Sequence, residues 1–129
     1  MTSRQDDGGA VRARLSQALR DALRGRDQVA TSALRSALAA IANAEAVAAS
    51  AQPAPATGSE HFAGAAAGLG ATEVARKELT EAAVRDIVRA EIADRQTAAG
   101  QYADSGHADR ADRLRAEITV LEGVVTAAG

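Results

Sequence analysis

An all-α fold is what this sequence predicts: four helices in two antiparallel hairpins, joined by a flexible Ala/Gly/Pro loop. Three observations predict it. Apolar residues recur at helical spacing in every segment outside the loop. Alanine, the strongest helix former, makes up roughly a quarter of the chain. Two short breaks, Gly25-Arg26-Asp27 and Ser105-Gly106, divide the apolar stripes into pairs. No stretch shows a competing strand pattern.

Taken in order, residues 1–10 read as a disordered tail, with Asp6, Asp7, Gly8 and Gly9 together. Residues 11–128 then form a single helical domain. Its first helix is expected from about Val11 to Arg24, with Val11, Leu15, Ala18, Leu19, Ala22 and Leu23 on one face. The Gly25-Arg26-Asp27 turn follows, with Asp27 as N-cap of the next helix. That second helix, about Gln28 to Ala48, carries the stripe Val29, Ala33, Leu34, Ala37, Leu38 and Ile41. Residues 50–72 hold both prolines and much of the glycine, and read as a flexible loop.

The third helix starts at Thr80, a good N-cap, with Glu81 in its first turn to complement the helix dipole. Its apolar positions are Val84, Ile87, Val88, Ile92 and, near the end at about Ala103, Tyr102. The fourth runs from about Ala108 to Thr126. Asp109 and Asp112 lie near its start, and Ala111, Leu114, Ile118, Leu121 and Val125 alternate steps of three and four, as bundle seams do. Short turns within each pair make the partners antiparallel.

The composition narrows the function classes. At 129 residues the chain is one domain by length. A net charge of -2 gives no global attraction to nucleic acid or to an anionic membrane. Lys77 is the only lysine among 15 basic residues. Arginine excess suits phosphate recognition, since guanidinium binds phosphate bidentately; a GC-rich coding bias, which also inflates alanine, explains it as simply. With no cysteine, disulfides, thiolate metal sites and cysteine nucleophiles are excluded. No apolar run approaches the ~20 residues of a membrane span, and the N-terminus lacks a secretory core. The expected location is the cytoplasm. Leu, Ile, Val and Phe together are scarce, so the core is expected to be thin.

Few residues point to chemistry. His61 and His107 stand alone, and metal binding needs several converging ligands; no metal and no cofactor are expected. Ser105 is two residues from His107, but reads as a capping serine rather than a nucleophile. The Gly64–Gly70 run lacks the lysine and hydroxyl of a phosphate loop and the strand before it. On the third helix Glu91–Arg95, Glu81–Arg85 and Asp86–Arg89 are spaced to pair. Arg85, Arg89 and Arg95 could line a phosphate-facing strip, although each has an acid nearby. Tyr102, the lone tyrosine, could stack on a base or pack across the hairpin with its hydroxyl in water. These four residues, Arg85, Arg89, Arg95 and Tyr102, are the candidate contacts for RNA or another partner.

A family resemblance rests on order and spacing. The elements are ELT-x3-V at Glu78–Val84, E-x3-R at Glu91–Arg95, Tyr102-Ala-Asp-Ser-Gly106, Asp109, and RAEITVLEGVV from Arg115. In the front half, Leu19–Glu45 carries a basic-acidic turn and the Leu34-Arg35 step. Together these resemble the YqeY-like family, small bacterial proteins related to the tail domain of the B subunit of aspartyl/glutamyl-tRNA amidotransferase. The resemblance covers roughly residues 11–49 and 73–125. It implies an all-helical fold and a non-catalytic adaptor that docks on tRNA or another RNA, or on an amidotransferase or RNA-processing protein. It also implies two alternatives: an accessory role in glutamine-dependent amide transfer (carbon–nitrogen ligase chemistry with glutamine as amide donor), or a purely protein-binding or oligomerising module. The family usually continues through a Tyr-Leu-Pro segment into a second helical subdomain. Val124-Val125-Thr126 stands there instead, so that subdomain is expected to be absent. His107 replaces a frequent arginine, and residues 50–72 look like an insertion.

Overall fold

The computed structural model describes residues 9–50 and 78–128. These form four helices: α1 (Gly9–Arg24), α2 (Gln28–Ser50), α3 (Glu81–Asp104) and α4 (Ala108–Ala128). No strand occurs among the described residues. None of these helices is long and apolar enough to cross a membrane. The expected loop, apart from Ser50, lies outside the described residues, as do residues 1–8 of the expected tail, His61 and the Gly64–Gly70 run.

Local chemistry sets the helix ends. The Asp27 carboxylate accepts from the Ala30 amide at 3.0 Å and caps α2. The Thr80 hydroxyl accepts from the Ala83 amide at 3.1 Å and caps α3. The α1–α2 and α3–α4 turns are built alike. In the first, Asp27 N–H bonds back to the Ala22 carbonyl at 2.9 Å and Arg26 N–H to Leu23 at 3.2 Å. In the second, His107 N–H reaches the Tyr102 carbonyl at 2.8 Å and Gly106 N–H reaches Ala103 at 3.2 Å. Both are Schellman closures, which place one residue in the left-handed region. That residue is Gly106 (φ 82°) in one turn and Arg26 (φ 56°) in the other.

Three boundaries shift by two residues from expectation: α4 runs to Ala128 rather than Thr126, and α1 and α2 each differ at one end. The first helix begins at Gly9 rather than Val11, so residues 9 and 10 belong to the helix and not to the tail. Its first turn has no acid of its own. Glu81 of α3 supplies one: its Oε1 accepts from the Val11 amide at 3.5 Å. At the other boundary α2 runs through Ser50, where the loop was expected to begin. Ser50 closes the helix by donating from its hydroxyl to the Val47 carbonyl at 3.2 Å.

The chain separates into two units, one of residues 1–41 with 79–129 and one of Ala42–Glu78. The described part of the second is the end of α2 together with Glu78. The first holds the core: Val11, Leu15 and Ala22 of α1; Ala30, Ala33, Leu34, Ala37 and Ile41 of α2; Val84, Val88 and Ile92 of α3; Ile118, Leu121, Val124 and Val125 of α4. Within it α3 and α4 pair extensively and α1 lies against both. Each large buried side chain here is worth ~1.5–3 kcal/mol of transfer free energy. The expected stripes supply most of this core, with two corrections. Leu23 is 47% exposed, not part of the buried face; it falls in the last turn of α1, where the chain is already leaving the core. Ala18, Leu19, Val29, Leu38, Ile87, Tyr102 and Leu114 are only partly buried.

Candidate functional site

The expected arginine strip on α3 is not one surface. At about 100° of rotation per residue, Arg89 and Arg95 stand roughly 120° apart around the helix. Arg95 turns inward. Its Nε donates to Glu117 Oε1 of α4 at 2.9 Å, and its Nη1 donates to Glu91 Oε1 at 2.9 Å and to the Glu91 carbonyl at 3.2 Å. The Ser36 hydroxyl of α2 donates to the same Glu91 oxygen at 2.8 Å. Arg113 Nε lies 3.5 Å from the other Glu117 oxygen. Three helices are therefore cross-linked by one polar cluster. Burial works against the Arg95 charge, but its hydrogen bonds to Glu117 and Glu91, with their charges, outweigh that, and its pKa is raised.

Arg85 is also engaged. It donates to the Val125 carbonyl at 3.2 Å and lies 3.7 Å from Glu81. The expected Glu91–Arg95 and Glu81–Arg85 pairs thus form, whereas no ion pair joins Asp86 to Arg89 among the described residues. Arg89 is exposed and lines a shallow recess with Ile92, Val125, Thr126 and Glu122, an acid.

Tyr102 packs across the α3–α4 hairpin. The Arg110 guanidinium sits 5.6 Å from its ring centroid, and the His107 ring meets it edge-on at 6.0 Å. Ser105 is the C-cap of α3. Its hydroxyl lies 3.3 Å from the Tyr102 carbonyl and 3.1 Å from His107 Nδ1, in an exposed setting. Among the described residues, no cluster of His, Asp and Glu is arranged to hold a metal.

A second location was not legible as a site in the sequence. Leu23, Arg26, Gln28, Thr31, Ser32 and Arg35 line a recess of about 620 Å³ between the end of α1 and the first turns of α2. Gln28, Thr31, Ser32 and Arg35 share one face of α2 by helical spacing. The Arg26 and Arg35 side chains make no ion pair or hydrogen bond with a described residue. Asp27, next in the chain, directs its carboxylate to the Ala30 amide and does not line the recess. In the sequence Arg26 stands out only as a turn residue and Arg35 only as part of the Leu34-Arg35 step. The available signal was a hydroxyl and arginine face following a turn whose left-handed position lacks glycine.

No family model matches the chain, and neither the curated proteins nor the solved structures contain a significant match.

Proposed function

We infer that this chain is a helical adaptor that docks on RNA, of the kind its resemblance to the YqeY-like and amidotransferase-tail proteins implies. The observation that carries the reading is how its charges are divided. The charges shielded between α3 and α4 are matched to one another: Glu91, Arg95 and Glu117 lock the two helices together, and Ser36 adds α2. Groups bonded in this way hold helices in place and are poorly suited to moving protons or attacking a substrate. Other arginines, Arg26, Arg35 and Arg89, remain exposed and uncommitted. A rigid frame with free guanidiniums outside suits the positioning of a phosphate backbone, which is read by charge and hydrogen bonds.

The test is retardation of tRNA by the purified chain on a native gel at low salt. The expected result is a weak shift that added salt abolishes, because phosphate contacts release counterions. A protein that leaves tRNA unshifted at low salt overturns the RNA reading.

A further inference from the structure

We propose that the recess between the end of α1 and the start of α2 is a nucleotide subsite, in which Arg26 and Arg35 hold a phosphate group and Leu23 lies against the base. This deepens the RNA-docking reading and rests on it for the source of the nucleotide.

Charge is the first argument. In the groove between α1 and α4, Arg14 and Arg20 share the lining with Asp21. Beside α3 and α4, Arg89 shares its recess with Glu122, and at the α3–α4 turn Arg110 shares one with Asp109. The recess of Arg26 and Arg35 has two guanidiniums and no acid in its lining. Two cations at one opening repel each other, and a dianionic or monoanionic phosphate removes that repulsion while accepting bidentate hydrogen bonds.

Backbone conformation is the second, independent argument. The α1–α2 and α3–α4 turns close with the same pair of hydrogen bonds. The α3–α4 turn places Gly106 at the left-handed position; the α1–α2 turn places Arg26 there, although Gly25 is only one residue away. A side chain in that conformation is strained. Strain of this kind concentrates at binding positions, where the side chain is needed. Here it sets the arginine at the mouth of the recess.

The remaining lining fits a nucleotide more closely than a bare anion. Leu23, 47% exposed, offers an apolar face. Thr31, Ser32 and Gln28 bring hydroxyls and an amide capable of bonding phosphate, ribose or a base edge. A phosphorylated peptide would satisfy the arginines but would not need this apolar wall.

The test uses the full chain and two substitutions, Arg26→Gly and Arg35→Gln, singly and together. Probes are a 5′-phosphorylated oligoribonucleotide, AMP, inorganic phosphate and a phosphoserine peptide. Binding is read by fluorescence anisotropy across salt, and location by NMR shifts of the Thr31 and Ser32 amides and the arginine Nε–H groups. We expect the oligonucleotide and AMP to shift these signals. The double variant should lose at least about tenfold in oligonucleotide affinity and flatten the salt dependence by roughly one phosphate contact. Arg26→Gly relieves strain, so its melting temperature should not fall, which separates lost binding from lost folding. If wild type binds the oligonucleotide and the double variant binds it equally well, the subsite is overturned and RNA docking stands. If AMP shifts the recess but no RNA binds, the subsite stands for a free nucleotide and RNA docking falls. Shifts at the recess with the phosphopeptide alone overturn the nucleotide assignment.

Discussion

Arg95 on α3 and Glu117 on α4 meet at 2.9 Å through Nε and Oε1, and the same guanidinium holds Glu91 at 2.9 Å through Nη1. The side chains are 13%, 8% and 21% exposed, respectively, so the cluster is largely shielded from water. Removing one partner strands the others. Arg95→Ala leaves the shielded Glu91 carboxylate without its cation and Glu117 with only the half-exposed Arg113, 3.5 Å away, and should cost about 2–4 kcal/mol in denaturant unfolding; breaking a fully buried pair costs slightly more. The double variant Arg95→Met with Glu117→Leu should recover only part of that loss, because the most buried carboxylate is then gone while Glu91 keeps just its hydrogen bond from Ser36. A single-variant loss below about 0.5 kcal/mol would place the pair among ordinary surface bridges.

Core burial on α4 gives a graded prediction. Leu121 is fully buried, Ile118 is 8% exposed and Leu114 is only partly buried. Truncation of a buried Leu or Ile to Ala removes transfer energy and leaves a cavity, at ~2–5 kcal/mol. Leu121→Ala should therefore cost most, Ile118→Ala nearly as much, and Leu114→Ala least, as measured by urea unfolding. Equal effects at Leu114 and Leu121 would mean that α4 is rotated about its axis relative to the face described here.

The helices and their inner faces were legible because an apolar stripe at helical spacing needs only local information. Asp27 and Thr80 were legible as caps for the same reason: a cap lies within three residues of the amide it serves. What the sequence hid depends on residues far apart along the chain. Glu117 looks like a solvated acid until Arg95 of another helix reaches it. Glu81 reads as a dipole partner of its own helix, yet it also serves the α1 terminus. The candidate strip of Arg85, Arg89 and Arg95 was legible as charge but not as surface, because i,i+4 spacing to Glu81 and Glu91 does not reveal the contacts to Val125 and Glu117. The Arg26–Arg35 recess is not legible because one arginine stands in the α1–α2 turn and the other on α2, nine residues apart in the sequence.

Glu81 bridges two helix starts and gives a local prediction. Its Oε1 takes the Val11 amide of α1 at 3.5 Å, while its other oxygen is buried without a hydrogen bond, 3.7 Å from Arg85. Glu81→Ala removes an anion from both helix N-termini. A loss of about 1 kcal/mol is expected from capping and dipole effects together. Hydrogen exchange should rise first at Val11 and its neighbours in α1. Unchanged protection there would show that the long 3.5 Å contact contributes nothing.

The two Schellman turns offer a paired test of strain within one chain. Gly106 and Arg26 occupy equivalent left-handed positions. Gly106→Ala meets open space but a strained backbone, and should destabilise by roughly 1–2 kcal/mol. Arg26→Gly should act oppositely, with a gain of up to about 1 kcal/mol after the extra freedom of the unfolded glycine is subtracted. Thermal unfolding of both variants reads the two signs directly. A stability loss at Arg26→Gly would show that the arginine side chain contributes to the fold itself.

The last prediction concerns catalysis. Purified protein should release no ammonia from glutamine and transfer no amide. Amide transfer from glutamine needs an activated nucleophile, and the sequence has no cysteine to provide a thiolate. The nearest alternative is Ser105 with His107, whose Oγ and Nδ1 lie 3.1 Å apart. Ser105 has one hydroxyl proton, and the Tyr102 carbonyl at 3.3 Å competes for it. With the hydroxyl donated to that carbonyl, His107 donates Nδ1–H to the serine oxygen and is no base toward it. With the proton directed at Nδ1, the pair still stands in water on an exposed turn. Among the described residues, the other group engaging the imidazole is the Tyr102 ring, at 6.0 Å between centroids, rather than a carboxylate to fix its orientation. Both arrangements leave the serine hydroxyl at ordinary reactivity. Ammonia release by wild type that disappears in Ser105→Ala and His107→Ala would overturn the adaptor reading in favour of an enzyme.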